Sequence, residues 1–103
     1  MGWATGHIAN LKAGKTVQCR PRGNSMQGKI DSGDLVTIAP LSEAPKPGDI
    51  VLCKVHSCEY LHLVKAVQGD RYQIGNNRGR INGWIGRNSI FGITVRIEKA
   101  SRS

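Results

Sequence analysis

The chain has 103 residues, of which 15 are Lys or Arg and 7 are Asp or Glu, so its formal net charge is +8. This length supports one domain with a modest core, and the ordinary apolar content argues against intrinsic disorder. The sequence contains neither an apolar run of roughly 18 residues nor a secretory signal, so we expect a soluble, cytoplasmic protein without a membrane anchor. The charge favours acidic partners, but the basic residues are scattered and few aromatic residues stand between them. Nucleic acid is therefore a possible partner that the sequence does not favour.

The predicted elements are mostly strands. Residues 1–15 are a poorly defined N-terminal segment, in which Ile8 and Leu11 anchor at most a short helical turn between two glycines. From residue 16 onward, apolar stretches alternate with Gly, Pro, Asn and Asp turn signals, and no helical period is sustained. This pattern predicts a mainly β fold, with one compact domain over residues 16–103, long irregular loops and little helix. The predicted strands cover residues 16–22, 35–39, 49–56, 59–68, 71–74 and 90–97, with loops at 41–48 and 75–86.

Two of these strands, 49–56 and 59–68, are expected to form a hairpin. Both arms carry apolar residues at consecutive positions, which is typical of strands that are buried on both faces.

Ser25 lies two residues after Gly23, and a series of further short motifs follows it in the sequence. The sequence reads GNSM at residues 23–26, IDSGDLV at 30–36, GDIV at 48–51, HLV at 62–64 and GNN at 75–77. Each piece alone is weak, because Ser beside Gly is common in turns. Their order and spacing together resemble the LexA repressor and type I signal peptidase superfamily of serine proteases, over roughly residues 16–97. The resemblance implies a LexA/signal-peptidase-like β domain.

The resemblance implies that Ser25 is the nucleophile, with its backbone N–H in the oxyanion hole, and that His62 is the general base. Lys65 is the alternative base, since other members of the superfamily use a lysine. Residues three apart on a strand point to opposite faces, so only one of the two bases can face Ser25. A serine hydroxyl needs a neighbouring base, and histidine has a suitable pKa near 6.5, whereas lysine must be buried to become one.

The chain departs from the family pattern where an acidic residue would orient the base. Asn76 stands where the family has Asp, and the acidic residue expected a few positions further on, which would orient a histidine, is missing. Asn77 and Asn82 are therefore the candidates to hold the imidazole by hydrogen bonding. The resemblance places Met26 near the substrate pocket. Trp84 lies between two glycines and is expected either to fix the late loop or to line a substrate groove.

Three functions are therefore weighed. The leading one is a small soluble serine peptidase that acts on a peptide or protein substrate and needs no cofactor. The alternative is a catalytically weak or inactive binding module for a protein or a nucleic acid. The third is a zinc-stabilised hairpin, although the spacing of its ligands is uncommon and no metal is expected. The zinc ligands would be Cys53, His56, Cys58 and His62.

A self-cleavage site is a separate possibility. The Ala13-Gly14 pair has the small-residue-glycine sequence at which LexA-like members cut themselves, but it lies close to Ser25 along the chain.

Overall fold

Seven β-strands and one α-helix organise the part of the chain that the structure, a computed structural model, describes: residues 2–23 and 25–100. The predicted mainly β fold is confirmed. No helix in these two ranges is long and apolar enough to cross a bilayer. The elements are α1 (Thr5–Lys12), β1 (Val17–Cys19), β2 (Leu35–Ala39), β3 (Ile50–Val55), β4 (Cys58–Gln68), β5 (Arg71–Gly75), β6 (Ile81–Gly86) and β7 (Ile90–Glu98), with a short 3-10 turn at Arg87–Ser89.

The strands form one curled antiparallel sheet in the order β1-β2-β7-β3-β4-β5-β6. The predicted hairpin is β3–β4, in which Val55 pairs with Cys58 across a two-residue turn. Both turn residues, His56 and Ser57, have positive φ angles of 51° and 69°. Turns of this kind match the twist of the strands that they join.

Each face of the curled sheet covers its own apolar cluster. One cluster is shared by α1, the segment after Ser25 and the strands β1, β2, β3 and β4. The other lies under β5 and β6. The consecutive apolar residues of the hairpin arms are divided between the two clusters, which is why both arms are apolar on two faces. Members of the second cluster are Val51, Cys53, Val55, Val64, Tyr72, Ile74, Ile85 and Ile90.

The prediction of an irregular loop over residues 75–86 is wrong in its second half, where β6 pairs with β5. Glycines at positions 83 and 86 interrupt the apolar alternation by which a strand is predicted. Gly83 has φ +145°, and a Cβ there would lie 3.4 Å from Val55 and 3.5 Å from His56. These distances are ordinary contacts, so glycine is required at this position by the backbone angle, which L side chains rarely adopt, rather than by lack of space.

The N-terminal segment, expected to be poorly defined, contains the two-turn helix α1. Ile8 and Leu11, the predicted anchors, are buried in the first cluster. Gly92 on β7 makes room for this packing, because a Cβ there would lie 3.0 Å from Leu11. The start of the helix is held by Glu59 on β4, whose carboxylate accepts hydrogen bonds from the Ala4 N–H (2.6 Å) and the Thr5 hydroxyl (3.1 Å). A carboxylate is favourable at a helix N-terminus, where N–H groups lack partners.

We expect Leu11→Ala to lower the free energy of unfolding by about 2 to 4 kcal/mol, because it leaves a cavity between α1 and the sheet. Urea denaturation measures this loss. Asn10→Ala, on the exposed side of α1, is the matched control. Equal stability of both variants would show that α1 does not belong to the folded unit.

A buried carboxylate ties the C-terminal end of the sheet to the segment that follows Ser25. The Asp34 side chain is 2% exposed. It accepts hydrogen bonds of 2.8 Å from the Asp31 N–H, the Ala100 N–H and the Lys99 ammonium group. The hydrogen bonds from Lys99 and from the two backbone groups lower the pKa of Asp34 from 3.8 to about 2.

Because the pKa of Asp34 is lower in the folded state, this carboxylate stabilises the fold above pH 4, and the contribution is lost as the pH falls from about 4 to 2. We expect Asp34→Asn to lower the melting temperature at pH 7 and to weaken its dependence on pH in that window. Thermal denaturation from pH 2 to pH 7 checks this, with Asp70→Asn in an exposed turn as control. An Asp34→Asn variant with the melting curve of the parent at every pH would contradict the role of this clamp.

Candidate active site

The strand that carries His62 changes its partner along its length. Residues 58–63 of β4 pair with β3, whereas pairing with β5 begins only at Leu63. The Val64 N–H points towards the β3 side, where it donates to the Asp49 carbonyl. Backbone groups alternate between the two edges of a strand, so Glu59 and Leu61 direct theirs to the other edge. Along residues 58–62, this edge has no strand partner among the described residues.

The serine turn, here residues 25–30, lies against that part of β4. Its backbone closes on itself, because the N–H groups of Lys29 and Ile30 both donate to the Met26 carbonyl. The loop after β5 fixes its position: the Asn77 N–H donates to the Ser25 carbonyl at 3.0 Å, and the Asn77 amide donates to the Gln27 carbonyl at 2.8 Å. Asn77, predicted as an orienter of the base, thus holds the serine turn instead. Asn24, the other residue of the predicted Gly-Asn-Ser turn, lies outside the described residues.

A chain of two hydrogen bonds joins Ser25, His62 and Asn82. The Ser25 Oγ lies 3.2 Å from the His62 Nε2, and the His62 Nδ1 lies 2.7 Å from the Asn82 Oδ1. The amide oxygen only accepts, so Nδ1 carries the proton and Nε2 presents its lone pair to the serine hydroxyl. Three separate elements, the serine turn, β4 and β6, contribute one residue each.

Burial keeps this imidazole neutral. The His62 residue is 7% exposed. Loss of hydration lowers the pKa of His62 below 6.5, and the hydrogen bond to Asn82 opposes this with a smaller effect. The Tyr60 ring stacks on the imidazole with a centroid distance of 4.8 Å and limits its rotation. A neutral imidazole with a fixed tautomer is the form that accepts a proton from serine.

Lys65, the alternative base, has a different environment. It lies at the irregularity between Val64 and Ala66, where the register of β4 against β5 shifts. Its aliphatic stem packs over Gly75, where a Cβ would lie 3.0 Å from the Lys65 Cε. Among the hydrogen bonds of the described residues, the partner of the Ser25 hydroxyl is His62 and not Lys65.

A groove of about 420 Å³ opens beside the Ser25–His62 pair. One wall is formed by residues 59–62 of β4, and another is formed by the segment 20–23 after β1. Met26 contributes to the lining, and its side chain is also packed in the core. Trp84 does not belong to the lining; it lies on β6 with 40% of its surface exposed.

Five lining or supporting residues were missed by the sequence analysis. Tyr60 stands two positions before His62 on β4 and so shares its face of the strand, which was the available signal. Glu59, three positions before His62, has no such signal. The others have no local signal, because only the fold brings them to the groove; they are Trp3, Arg20 and Arg22.

The four residues of the zinc alternative do not converge. Cys53 lies in the second apolar cluster, where burial raises the pKa of its thiol to about 12, whereas Cys58 is exposed at the turn. Within residues 2–23 and 25–100, no group of three or more His, Cys, Asp or Glu side chains is placed to hold a metal ion.

The Ala13-Gly14 pair forms the end of α1 and lies outside the groove lining. Its N–H groups close the helix by bonding to carbonyls of the last turn.

Comparison with known proteins adds no relative: no protein-family model matches the chain, and no curated protein gives a significant match.

We expect His62 to titrate below pH 6.5, as followed by the NMR shift of its ring protons. Asn82→Asp places a negative charge beside Nδ1 and raises the pKa of His62 by about 1 unit or more, because it stabilises the imidazolium. Asn88→Asp, at an exposed position, adds the same charge away from the ring and serves as the control. A His62 pKa above 6.5 in the parent protein, or the same shift in both variants, would contradict the buried pair.

Proposed function

We propose that this chain is a serine peptidase that hydrolyses a peptide bond through Ser25 and His62. The observation that carries the proposal is the hydrogen-bonded series Ser25–His62–Asn82 at 3.2 and 2.7 Å, set beside an open groove. The resemblance of the five motifs to the LexA and signal peptidase superfamily supports the same reading. The three free cysteines fit a reducing cytoplasm as the place of action.

In the proposed reaction, His62 Nε2 takes the proton of the Ser25 hydroxyl as its oxygen attacks the carbonyl carbon of the substrate. The resulting imidazolium then gives that proton to the leaving amine, which leaves an acyl-serine ester. A water molecule, deprotonated by the same nitrogen, hydrolyses the ester and restores the serine. Asn82 holds the Nδ1 proton throughout, so that Nε2 always faces the serine.

The substrate would bind in an extended form. Alternation along β4 directs the Leu61 N–H and carbonyl to the edge without a strand partner, next to the groove, where a peptide backbone would pair with them as an added strand. This mode positions the scissile bond by main-chain hydrogen bonds next to Ser25.

One observation favours a second function, a peptide-binding module with little or no catalysis. The group that supports His62 is a neutral amide. It fixes the tautomer but gives the imidazolium less electrostatic support than a carboxylate would. The groove and the open strand edge would serve such a module equally well.

The peptidase proposal predicts that a small aryl phosphonate labels the protein once, as read by intact mass between pH 4 and pH 10. Labelling should increase as the pH rises through the pKa of His62, because only the neutral ring accepts the serine proton. Ser25→Ala should abolish the adduct, and His62→Ala should slow its formation by about 100-fold or more.

Two variants serve as controls for this experiment. Ser42→Ala removes an exposed hydroxyl outside the groove, and Lys65→Ala removes the alternative base; both should label at the parental rate. If only Lys65→Ala abolished labelling, the base would be Lys65. If the parent protein never reacted, the binding-module function would replace the peptidase.

A further inference from the structure

Four charged side chains line the groove, two basic and two acidic. Arg20 and Arg22 belong to the wall after β1, whereas Asp31 and Glu59 come from the serine-turn side and from β4. Counted by formal charge the groove is neutral. The partners of these groups decide which charges remain for a ligand.

Both carboxylates are already engaged by the protein itself. Glu59 uses one oxygen for the Ala4 N–H and the other for the Thr5 hydroxyl at the start of α1. Asp31 accepts the Gly28 N–H at 3.0 Å with one oxygen and contacts the Lys99 ammonium group at 3.3 Å with the other. The charge of Asp31 is therefore paired with an ammonium ion. Glu59 has neutral donors on both oxygens, so it keeps its charge, but its position is fixed at the start of α1 on the β4 side of the groove.

The two arginines differ from Asp31 because they have no ion-pair partner in the described part of the chain. Arg20 donates to a neutral acceptor, the Gly33 carbonyl, at 2.7 Å, which holds its guanidinium at the wall without cancelling its charge. The ion pairs formed within residues 2–23 and 25–100 include neither Arg20 nor Arg22. The wall formed by residues 20–23 is therefore cationic.

We propose that the preferred ligand of this groove is an extended peptide. It carries acidic side chains close to the residues that bind at Ser25. This inference deepens the proposed function by naming the class of its substrate. The strand edge at Leu61 binds the peptide backbone, and Arg20 and Arg22 bind its carboxylates from the other wall. Arginine suits this role because its planar guanidinium binds carboxylates in a bidentate manner.

The lining favours a peptide over a nucleic acid. Bases need exposed aromatic faces on which to stack, but Tyr60 already stacks on His62, which leaves Trp3 as the exposed aromatic residue of the groove. Backbone groups at a free strand edge, in contrast, are a feature that an extended peptide uses directly.

The experiment measures binding without catalysis. Trp3 lines the groove and is 52% exposed, so in the variant Ser25→Ala/Trp84→Phe it is the remaining tryptophan and reports on occupancy by fluorescence. The probes are capped eight-residue alanine peptides with a pair of glutamates at successive positions, and the same peptides with lysine or glutamine in place of glutamate. At low salt we expect the best glutamate peptide to bind about tenfold or more tightly than its lysine counterpart. The difference should shrink at higher ionic strength.

Matched substitutions assign the preference to the two arginines. Arg20→Gln/Arg22→Gln should remove it, whereas Arg20→Lys/Arg22→Lys should retain only part of it, because lysine keeps the charge but not the bidentate geometry. Arg87→Gln/Arg96→Gln makes the same change in net charge outside the groove and should leave the preference intact. Equal binding of all peptides, no binding up to millimolar concentration, or the same loss in the outer double variant would overturn the proposal. So would a dodecamer of thymidylate that bound more tightly than any peptide and depended on Arg20 and Arg22.

Phosphonate labelling of the unmodified chain keeps this inference separate from the peptidase proposal. A glutamate preference without labelling supports the acidic-peptide groove and rejects the peptidase. Labelling without a glutamate preference does the reverse.

Discussion

The structure depends on the incomplete pairing of β4. This strand has eleven residues, but β3 covers one edge of its first half while β5 covers the other edge of its second half. In the first half of β4, the backbone groups of one edge therefore have no strand partner. The N-terminal segment around Trp3 and the serine turn pack next to this edge. The Trp3 indole donates to the Glu59 carbonyl on this edge at 3.2 Å, so the N-terminal segment occupies the end of the edge, next to Leu61. β4 therefore contributes one wall of the groove, the candidate general base His62 and the carboxylate of Glu59 that holds the start of α1.

Burial and polarity are balanced around the imidazole. Taking His62 out of water disfavours its charged form, and the Asn82 amide returns only part of that cost because it carries no charge. The result is a base that is neutral near pH 7 and weakly supported once protonated. Because of this balance, the same geometry is compatible with a peptidase and with a binding module. The charge of the side chain at position 82 determines how strongly the imidazolium is stabilised.

The elements with strong local signals were predictable, and those that glycine or long-range contacts create were not. The predicted strand at 35–39 agrees with β2, and the predicted hairpin agrees with β3 and β4. In these segments, runs of β-branched and apolar residues are bounded by clear turn signals. β6 was missed because Gly83 and Gly86 remove side chains from its pattern. The length of α1 was underestimated because Gly6 lies within the helix and Gly14 follows shortly after its end. Its stability comes from Glu59, 55 positions after Ala4, and from the space above Gly92.

The sequence by itself determined the reactive residue types, the mainly β class and the order of the motifs, since these depend on local chemistry and on alternation along the chain. It left two candidates for the general base, His62 and Lys65. It also left two candidates for the residue that orients the base, Asn77 and Asn82. Only the tertiary structure placed His62 against Ser25, gave Asn82 to the imidazole and Asn77 to the serine turn, and left Trp84 outside the groove. The physical reason is that a strand's bulge, a sheet's curl and the partners of each charged group arise from contacts between distant segments, which no short stretch of sequence encodes.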